Sequence, residues 1–411
     1  MTLALLAAYL LIGAAGWLLG WLNLRHLRHN AGLVPEGFEG ELDSETLARS
    51  AAYTIENNRL DLIESLAGTV VLLLFLFGGL LEIYDRWTAS LSGSFVLRGV
   101  LFFLCLSFVQ TTIDIPFSLY RNFRVEARYG FNTMTPRLWL TDLLKSLAIG
   151  IVLIALLTSG ALVLVLLSPY WWWLWVWGFF AAASLFLMYL SPYVIEPLFH
   201  TFEPVDAEDL EGEIRALLQK AGLEVSRVLR VDASRRSRHS NAYFTGIGTV
   251  KRIVLFDTLL ERLNTREILA VLAHEVGHWK RRHLLKRLVV SEAAALLCCY
   301  AAFRLMDAGV LPPLLGMESA SFYAQLVILG FLLSLASSLL TPIASFLSRR
   351  HEQEADRFAI ELSGMPDALA SSLVKMSRDN LSNLHPHPVY AAVYYSHPPV
   401  VERVRGLRKE S

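Results

Sequence analysis

The chain has 411 residues, 54 % of them hydrophobic and 18 % charged, with 37 basic against 37 acidic side chains and a formal net charge of zero. It is too apolar for a soluble globular protein of this size and too evenly charged for a general nucleic-acid binder, so a polytopic membrane protein is expected. Its three cysteines, Cys105, Cys298 and Cys299, all lie in apolar stretches, which supports neither a disulfide framework nor a cysteine zinc site.

In chain order, apolar segments long enough for a ~30 Å hydrocarbon core fall at 3–23, 66–84, 95–117, 143–167, 171–194, 288–310 and 322–346. The first has no basic residues ahead of it, and Arg25 and Arg28 follow it, so it is expected to stay in the membrane and not be cleaved as a signal peptide. After the tight Ser168-Pro169-Tyr170 link, Trp171, Trp172, Trp173 and Trp175 fit an interfacial aromatic belt. Segment 24–65 carries Arg25, Arg28, Arg49 and Arg59, and 118–142 carries Arg121, Arg124, Arg128 and Arg137, whereas 168–170 and 311–321 carry no basic residue. By the positive-inside rule the N-terminus is then outside and the C-terminus inside. The expected organisation is five spans in 1–194 with cytoplasmic loops 24–65 and 118–142, a cytoplasmic segment 195–287, two spans in 288–346 and a cytoplasmic tail 347–411.

The strongest local signal is His274-Glu275-Val276-Gly277-His278. The run before it reads as an amphipathic helix entered through Asn264 or Thr265, with Glu267 in its first turn. At i and i+4 the two imidazoles share one helix face and can bind one metal ion, while Glu275 is placed to act on a water as general base. A third histidine of the metzincin kind is excluded, because Arg281 and Leu284 stand where its glycine and histidine would be. His283, in the run Lys280-Arg281-Arg282-His283, is expected among lipid headgroups. A better third ligand lies just after the last span, in Arg349-Arg350-His351-Glu352-Gln353-Glu354-Ala355-Asp356. If that segment is helical, Glu352 can bind zinc while Asp356, one turn on, holds the far nitrogen of a ligating histidine.

Together these motifs resemble the type I CAAX prenyl proteases, integral-membrane zinc metallopeptidases of the gluzincin kind. The resemblance includes Ser348-Arg349, Glu352, Ala355-Asp356, and Tyr395-Ser396-His397-Pro398. It extends to Asp43-Ser44-Glu45-Thr46, Tyr129-Gly130-Phe131-Asn132, Glu196-Pro197-Leu198-Phe199, His239-Ser240-Asn241-Ala242-Tyr243-Phe244 and Arg252-Ile253-Val254-Leu255-Phe256-Asp257. It implies a mainly α fold, with seven transmembrane helices around a water-filled intramembrane chamber and a cytoplasmic zinc metallopeptidase domain containing a short β-sheet. It further implies one Zn2+ per chain on His274, His278 and Glu352, water activation by Glu275, and substrate contacts from Asn241 and His397. His397 would suit an oxyanion, and Asn241 to Gly246 reads as a strand whose edge can pair with an extended peptide. Asp114, Glu292, Arg304 and Asp307 lie in or near spans and suit a chamber or an interhelical ion pair equally well.

The expected activity is zinc-dependent peptide cleavage of the CAAX prenyl protease type, on a peptide or protein substrate with a prenylated C-terminal cysteine. The alternatives are a quality-control metalloprotease without prenyl specificity, or a channel or transporter carrying a structural zinc domain. Thirty arginines against seven lysines hint at a bacterial inner-membrane protein, with the endoplasmic reticulum as the setting in a eukaryote. No glycine-rich phosphate loop calls for ATP. The basic run Arg235-Arg236-Ser237-Arg238-His239 points to solvent or anionic lipid, not nucleic acid. The terminal Arg408-Lys409-Glu410-Ser411 has no prenylation cysteine, so the chain is not expected to be its own substrate.

Overall fold

The computed structural model describes residues 1–205, 208–245 and 250–410. Its helices start where local chemistry satisfies free backbone N–H groups. Asp43 accepts from the Thr46 amide at 2.7 Å to open Ser44–Leu76. Thr135, with Pro136 at the first helical position, opens Pro136–Leu167, and Ser321 opens the 42-residue helix Phe322–Ser363. Gly364, in the left-handed region at φ 65°, ends that helix.

Among the described residues, six helices are long and apolar enough to cross a membrane: Thr2–Asn30, Phe95–Glu126, Pro136–Leu167, Trp172–Phe199, His283–Asp307 and Phe322–Ser363. The seventh expected span differs from the continuous 66–84 segment. It breaks at Gly78-Gly79, where Gly79 adopts φ 79°, and Ser44–Leu76 meets Leu80–Leu91 at 65°. Exposed Leu11, Phe108, Leu156 and Val290 stud the spans, as surfaces bathed in hydrocarbon require. Trp171 and Trp175 are exposed like a belt, but Trp172 turns inward against Phe303 and Phe322.

Asp114, Glu292, Arg304 and Asp307 make no ion pair among the described residues, so the interhelical-pair alternative is not realised. Asp114 instead accepts from Gln110 at 2.8 Å, and Glu292 from Ser184 at 3.3 Å.

Beyond the spans lies a four-stranded mixed sheet of order β1-β2-β4-β3: β1 Phe202–Pro204, β2 Glu224–Val231, β3 Ala242–Thr245 and β4 Val250–Phe256. β2 and β4 are parallel, while β1 and β3 lie antiparallel on the two edges. Alternation sends Val228, Ile253 and Leu255 into one core with Ile214 and Leu218 from Glu208–Lys220 and Ile268, Leu272 and Val276 from Thr265–Lys280. The edge strand expected from Asn241 onward is therefore present over 242–245, and Gly246 lies outside the described residues.

Segments from all four long connections join on this side. Phe38, Leu42 and Leu47 share the core with Leu369, Val374, Val404 and Leu407. Arg236 Nε donates to Asp142 Oδ2 at 2.8 Å, and Glu126 accepts from Tyr53 Oη at 2.6 Å with His239 Nε2 3.2 Å from its other oxygen.

Candidate active site

The helix Thr265–Lys280 is held in register by a capping box: Asn264 accepts from the Glu267 amide at 3.0 Å, and Glu267 accepts from the Asn264 amide at 2.9 Å. Its buried stripe fixes the rotation that turns His274 and His278 towards the helix Phe322–Ser363. The two helices can approach closely because Gly277 has no side chain, and a Cβ there would lie 2.9 Å from the Ala355 backbone. The last span runs without interruption into this contact, so the membrane helix itself carries Glu352.

Three side chains converge. His274 Nε2 lies 3.2 Å from His278 Nε2, and Glu352 Oε2 and Oε1 lie 3.4 and 3.3 Å from the two nitrogens respectively. Ligands placed at 2.0–2.1 Å around a tetrahedral ion are ~3.3 Å apart. Glu352 is only 2 % exposed, and its Oε2 receives no well-directed hydrogen bond although His397 Nδ1 lies 2.8 Å away. A buried carboxylate whose two oxygens face the Nε2 atoms of His274 and His278 fits a cation. His274, His278 and Glu352 thus form a cluster able to hold a metal ion, with protein donors for three positions.

Asp356, one turn beyond Glu352, lies 2.8 Å from His274 Nδ1 and is gripped by Arg403, whose Nε and Nη2 donate to its two oxygens at 2.9 and 2.6 Å. Burial disfavours the His274 imidazolium, but the carboxylates of Asp356 and Glu352 beside it outweigh that and bring the pKa up to about 9. The contact of Nδ1 with Asp356 makes the imidazole an electron-rich ligand. Glu275 is half-buried and makes no hydrogen bond among the described residues, though its charge helps to keep Arg403 protonated.

His397 is the most open member, with its side chain 62 % exposed. It follows the short helix Pro388–Tyr394, whose last carbonyls accept from Arg349: Ala391 at 3.2 Å and Tyr395 at 2.8 Å. Asn241 is exposed at the start of β3, turns its side-chain oxygen to the Ala242 amide at 2.9 Å, and makes no hydrogen bond to the cluster. The structure therefore brings together His274, His278, Glu352, Asp356 and His397, but leaves Asn241 on the neighbouring edge strand.

His283 corrects an expectation. Arg282, at φ 55°, reverses the chain between two helices and turns His283 inward, where it is 2 % exposed. Lys280, Arg281 and Arg282 stay exposed. Arg403 was not singled out from the sequence, and Arg349 entered only within the Ser348-Arg349 motif, without a role of its own.

Residues 23–201 match the family described as CAAX prenyl protease N-terminal, five membrane helices, and residues 204–411 match peptidase family M48. CAAX prenyl protease 1 of Saccharomyces cerevisiae is 30 % identical over 91 % of this chain and 88 % of its own length. A homologue from Oryza sativa is 31 % identical over 91 % and 90 %. The crystal structure of Saccharomyces mikatae Ste24p superposes with a TM-score of 0.88 at 29 % identity, covering 98 % of both chains. These relatives are eukaryotic and lend no support to a bacterial source. With both halves matched, the fold shared end to end and a metal-holding cluster on the helix pair, the chain belongs to peptidase family M48, as a membrane-embedded metalloprotease of the CAAX prenyl protease kind.

Proposed function

We propose that this protein is a zinc endopeptidase acting at the cytoplasmic face of its membrane, and that its substrate is a peptide bearing a prenylated cysteine near its C-terminus. The observation that carries the metal assignment is the convergence of one donor atom each from His274, His278 and Glu352 within 4.8 Å of one another. The prenylated substrate rests on the names and coverage of the relatives.

A zinc ion held by these three residues would polarise the scissile carbonyl and acidify a water beside it. Glu275 takes the proton from that water as its oxygen adds to the carbonyl carbon, then delivers it to the amine as the C–N bond breaks. His397 donates to the oxygen that gains charge. Asp356 holds the His274 ring so that Nε2 faces inward, with Arg403 neutralising the carboxylate. The free edge of β3 aligns an extended peptide by main-chain pairing, with Asn241 at the point where the peptide enters.

Matched farnesylated and unmodified peptides ending in the CAAX sequence test this reading, with Glu275→Gln as the blank. The expected outcome is release of the terminal tripeptide, faster with the lipid attached, and turnover lowered ~10²-fold or more in Glu275→Gln at unchanged zinc content. Equal rates with and without lipid would instead favour general membrane proteolysis. Wild-type turnover in Glu275→Gln would remove the general-base assignment.

A further inference from the structure

His278 presents its two ring nitrogens to different partners. Nε2 faces His274 and Glu352 at 3.2 and 3.3 Å, while Nδ1 lies 3.1 Å from Nδ1 of His283. The other nitrogen of His283, Nε2, lies 3.0 Å from Glu354 Oε2. The His283 ring is 2 % exposed and stacks on His351 at 4.1 Å and 13°, so packing fixes its plane.

We propose that His283 and Glu354 form a hydrogen-bond relay that fixes His278 as a metal ligand and sets how tightly the site holds zinc. The inference rests on the zinc assignment above and adds to it the control of one ligand. A neutral imidazole carries one proton, so a histidine that offers Nε2 to a metal must carry it on Nδ1. That N–H donates to His283 Nδ1. His283, having accepted there, carries its own proton on Nε2 and donates it to Glu354, which as a carboxylate only accepts. Each step dictates the next, and a single acceptor at the far end fixes the tautomers of two histidines.

The relay makes the two histidine ligands unequal. His274 is tied directly to Asp356, a carboxylate that Arg403 grips with two hydrogen bonds. His278 reaches its carboxylate only through an intervening ring, and the Glu354 side chain is 41 % exposed. One helix supplies the ligand Glu352 and, from Glu354 and Asp356, the anchors of both histidines. His283 and Glu354 touch neither substrate nor metal in this arrangement, so they are positioning residues.

The test measures zinc affinity of the full-length protein in detergent by competition with a chromophoric zinc chelator, alongside thermal unfolding of the metal-free protein. His283→Leu fills the space without an acceptor and is expected to bind zinc 10- to 100-fold more weakly. His283→Asn, which places an acceptor oxygen close to the position of Nδ1, is expected to return most of that loss. Glu354→Ala, at an exposed site that does not threaten folding, is expected to weaken binding several-fold. Unchanged affinity in both His283→Leu and Glu354→Ala would overturn the relay. So would equal losses in His283→Leu and His283→Asn that track a loss of metal-free stability, since that is the mark of packing alone. His278→Ala separates the two levels. If it binds zinc like wild type, the zinc assignment has failed, whereas a zinc loss in His278→Ala without one in His283→Leu removes only the relay.

Discussion

Arg403 shows how much of the site depends on residues that touch neither metal nor substrate. Its guanidinium is buried, with the bidentate bond to Asp356 at 2.6 and 2.9 Å and Glu352 Oε2 3.9 Å from Nη1. Burial works against the charged form, but Asp356 and Glu352 outweigh it and raise the pKa. Removing one partner of a buried ion pair costs more than the pair contributes, because the other charge is left desolvated. Arg403→Met is therefore expected to destabilise the domain by about 3–5 kcal/mol, read by thermal unfolding of the metal-free protein. The double variant Arg403→Met, Asp356→Asn is expected to recover most of it. A single variant as stable as wild type would mean that Asp356 finds other compensation. The two histidines and Glu275 were legible in the sequence because their geometry is set by five consecutive residues of one helix. Arg403 was not, since its role exists only once the last helix, Val400–Arg408, brings its side chain to Asp356 on the helix Phe322–Ser363.

At the scale of elements, the placement of the metal helix depends on how it begins. Glu267 closes the capping box and also accepts from Lys375 Nζ at 2.9 Å and Ser371 Oγ at 2.7 Å, tying the helix start to the helix Pro366–Asp379. Burial raises the Glu267 pKa, but these hydrogen bonds outweigh it and hold the carboxyl below its ordinary value. A carboxyl depressed in the folded state adds stability that is complete above the unfolded-state pKa and is lost as pH falls through the folded value. Glu267→Gln is accordingly expected to cost about 1.5–3 kcal/mol at neutral pH. The difference from wild type should shrink as the pH drops below ~4.3, the ordinary glutamate value. Thermal unfolding of both proteins across that range checks it, and a difference that grows on acidification would contradict the sign. The start of this helix was readable, since Asn264 and Glu267 stand three apart before an apolar periodic run. The broken second span was missed although Gly78-Gly79 marked it, because an apolar stretch gives the same hydropathy whether straight or bent by 65°. The unbroken continuation of the last span to Ser363 also escaped hydropathy, which ends where the charges begin.

For the whole molecule, the metal cluster exists only because a membrane hairpin returns the chain. His278 and Glu352 are separated by the helix His283–Asp307 and the membrane part of Phe322–Ser363, and this return was legible from span count and loop charge together. Contacts among the long connections extend the same logic. Ser50 donates to Ser382 O at 2.7 Å, Arg405 pairs with Glu36 at 2.8 Å, and His385 Nε2 lies 2.8 Å from Leu33 O. With the Arg236–Asp142, His239–Glu126 and Tyr53–Glu126 bonds, they join 24–65, 118–142, 195–287 and 347–411 into one body on one end of the helices. At the opposite end Asp85 accepts from Arg98 at 3.0 Å and from the Ser321 amide at 2.8 Å, closing the short connections on each other. The arginine-rich connections are those in the joined body, so the positive-inside rule predicts a cytoplasmic position for that body. A variant lacking Cys105, Cys298 and Cys299, with single cysteines placed in turn at exposed Glu36, Tyr170, Ser319 and Glu410, tests the placement. An impermeant maleimide added outside intact cells or sealed right-side-out vesicles is expected to label positions 170 and 319 at once and positions 36 and 410 only after permeabilisation. The reverse pattern would invert the protein and put the metal site outside. Labelling that separates 36 from 410 would be incompatible with the Arg405–Glu36 contact, because two segments on opposite sides of a bilayer cannot share an ion pair.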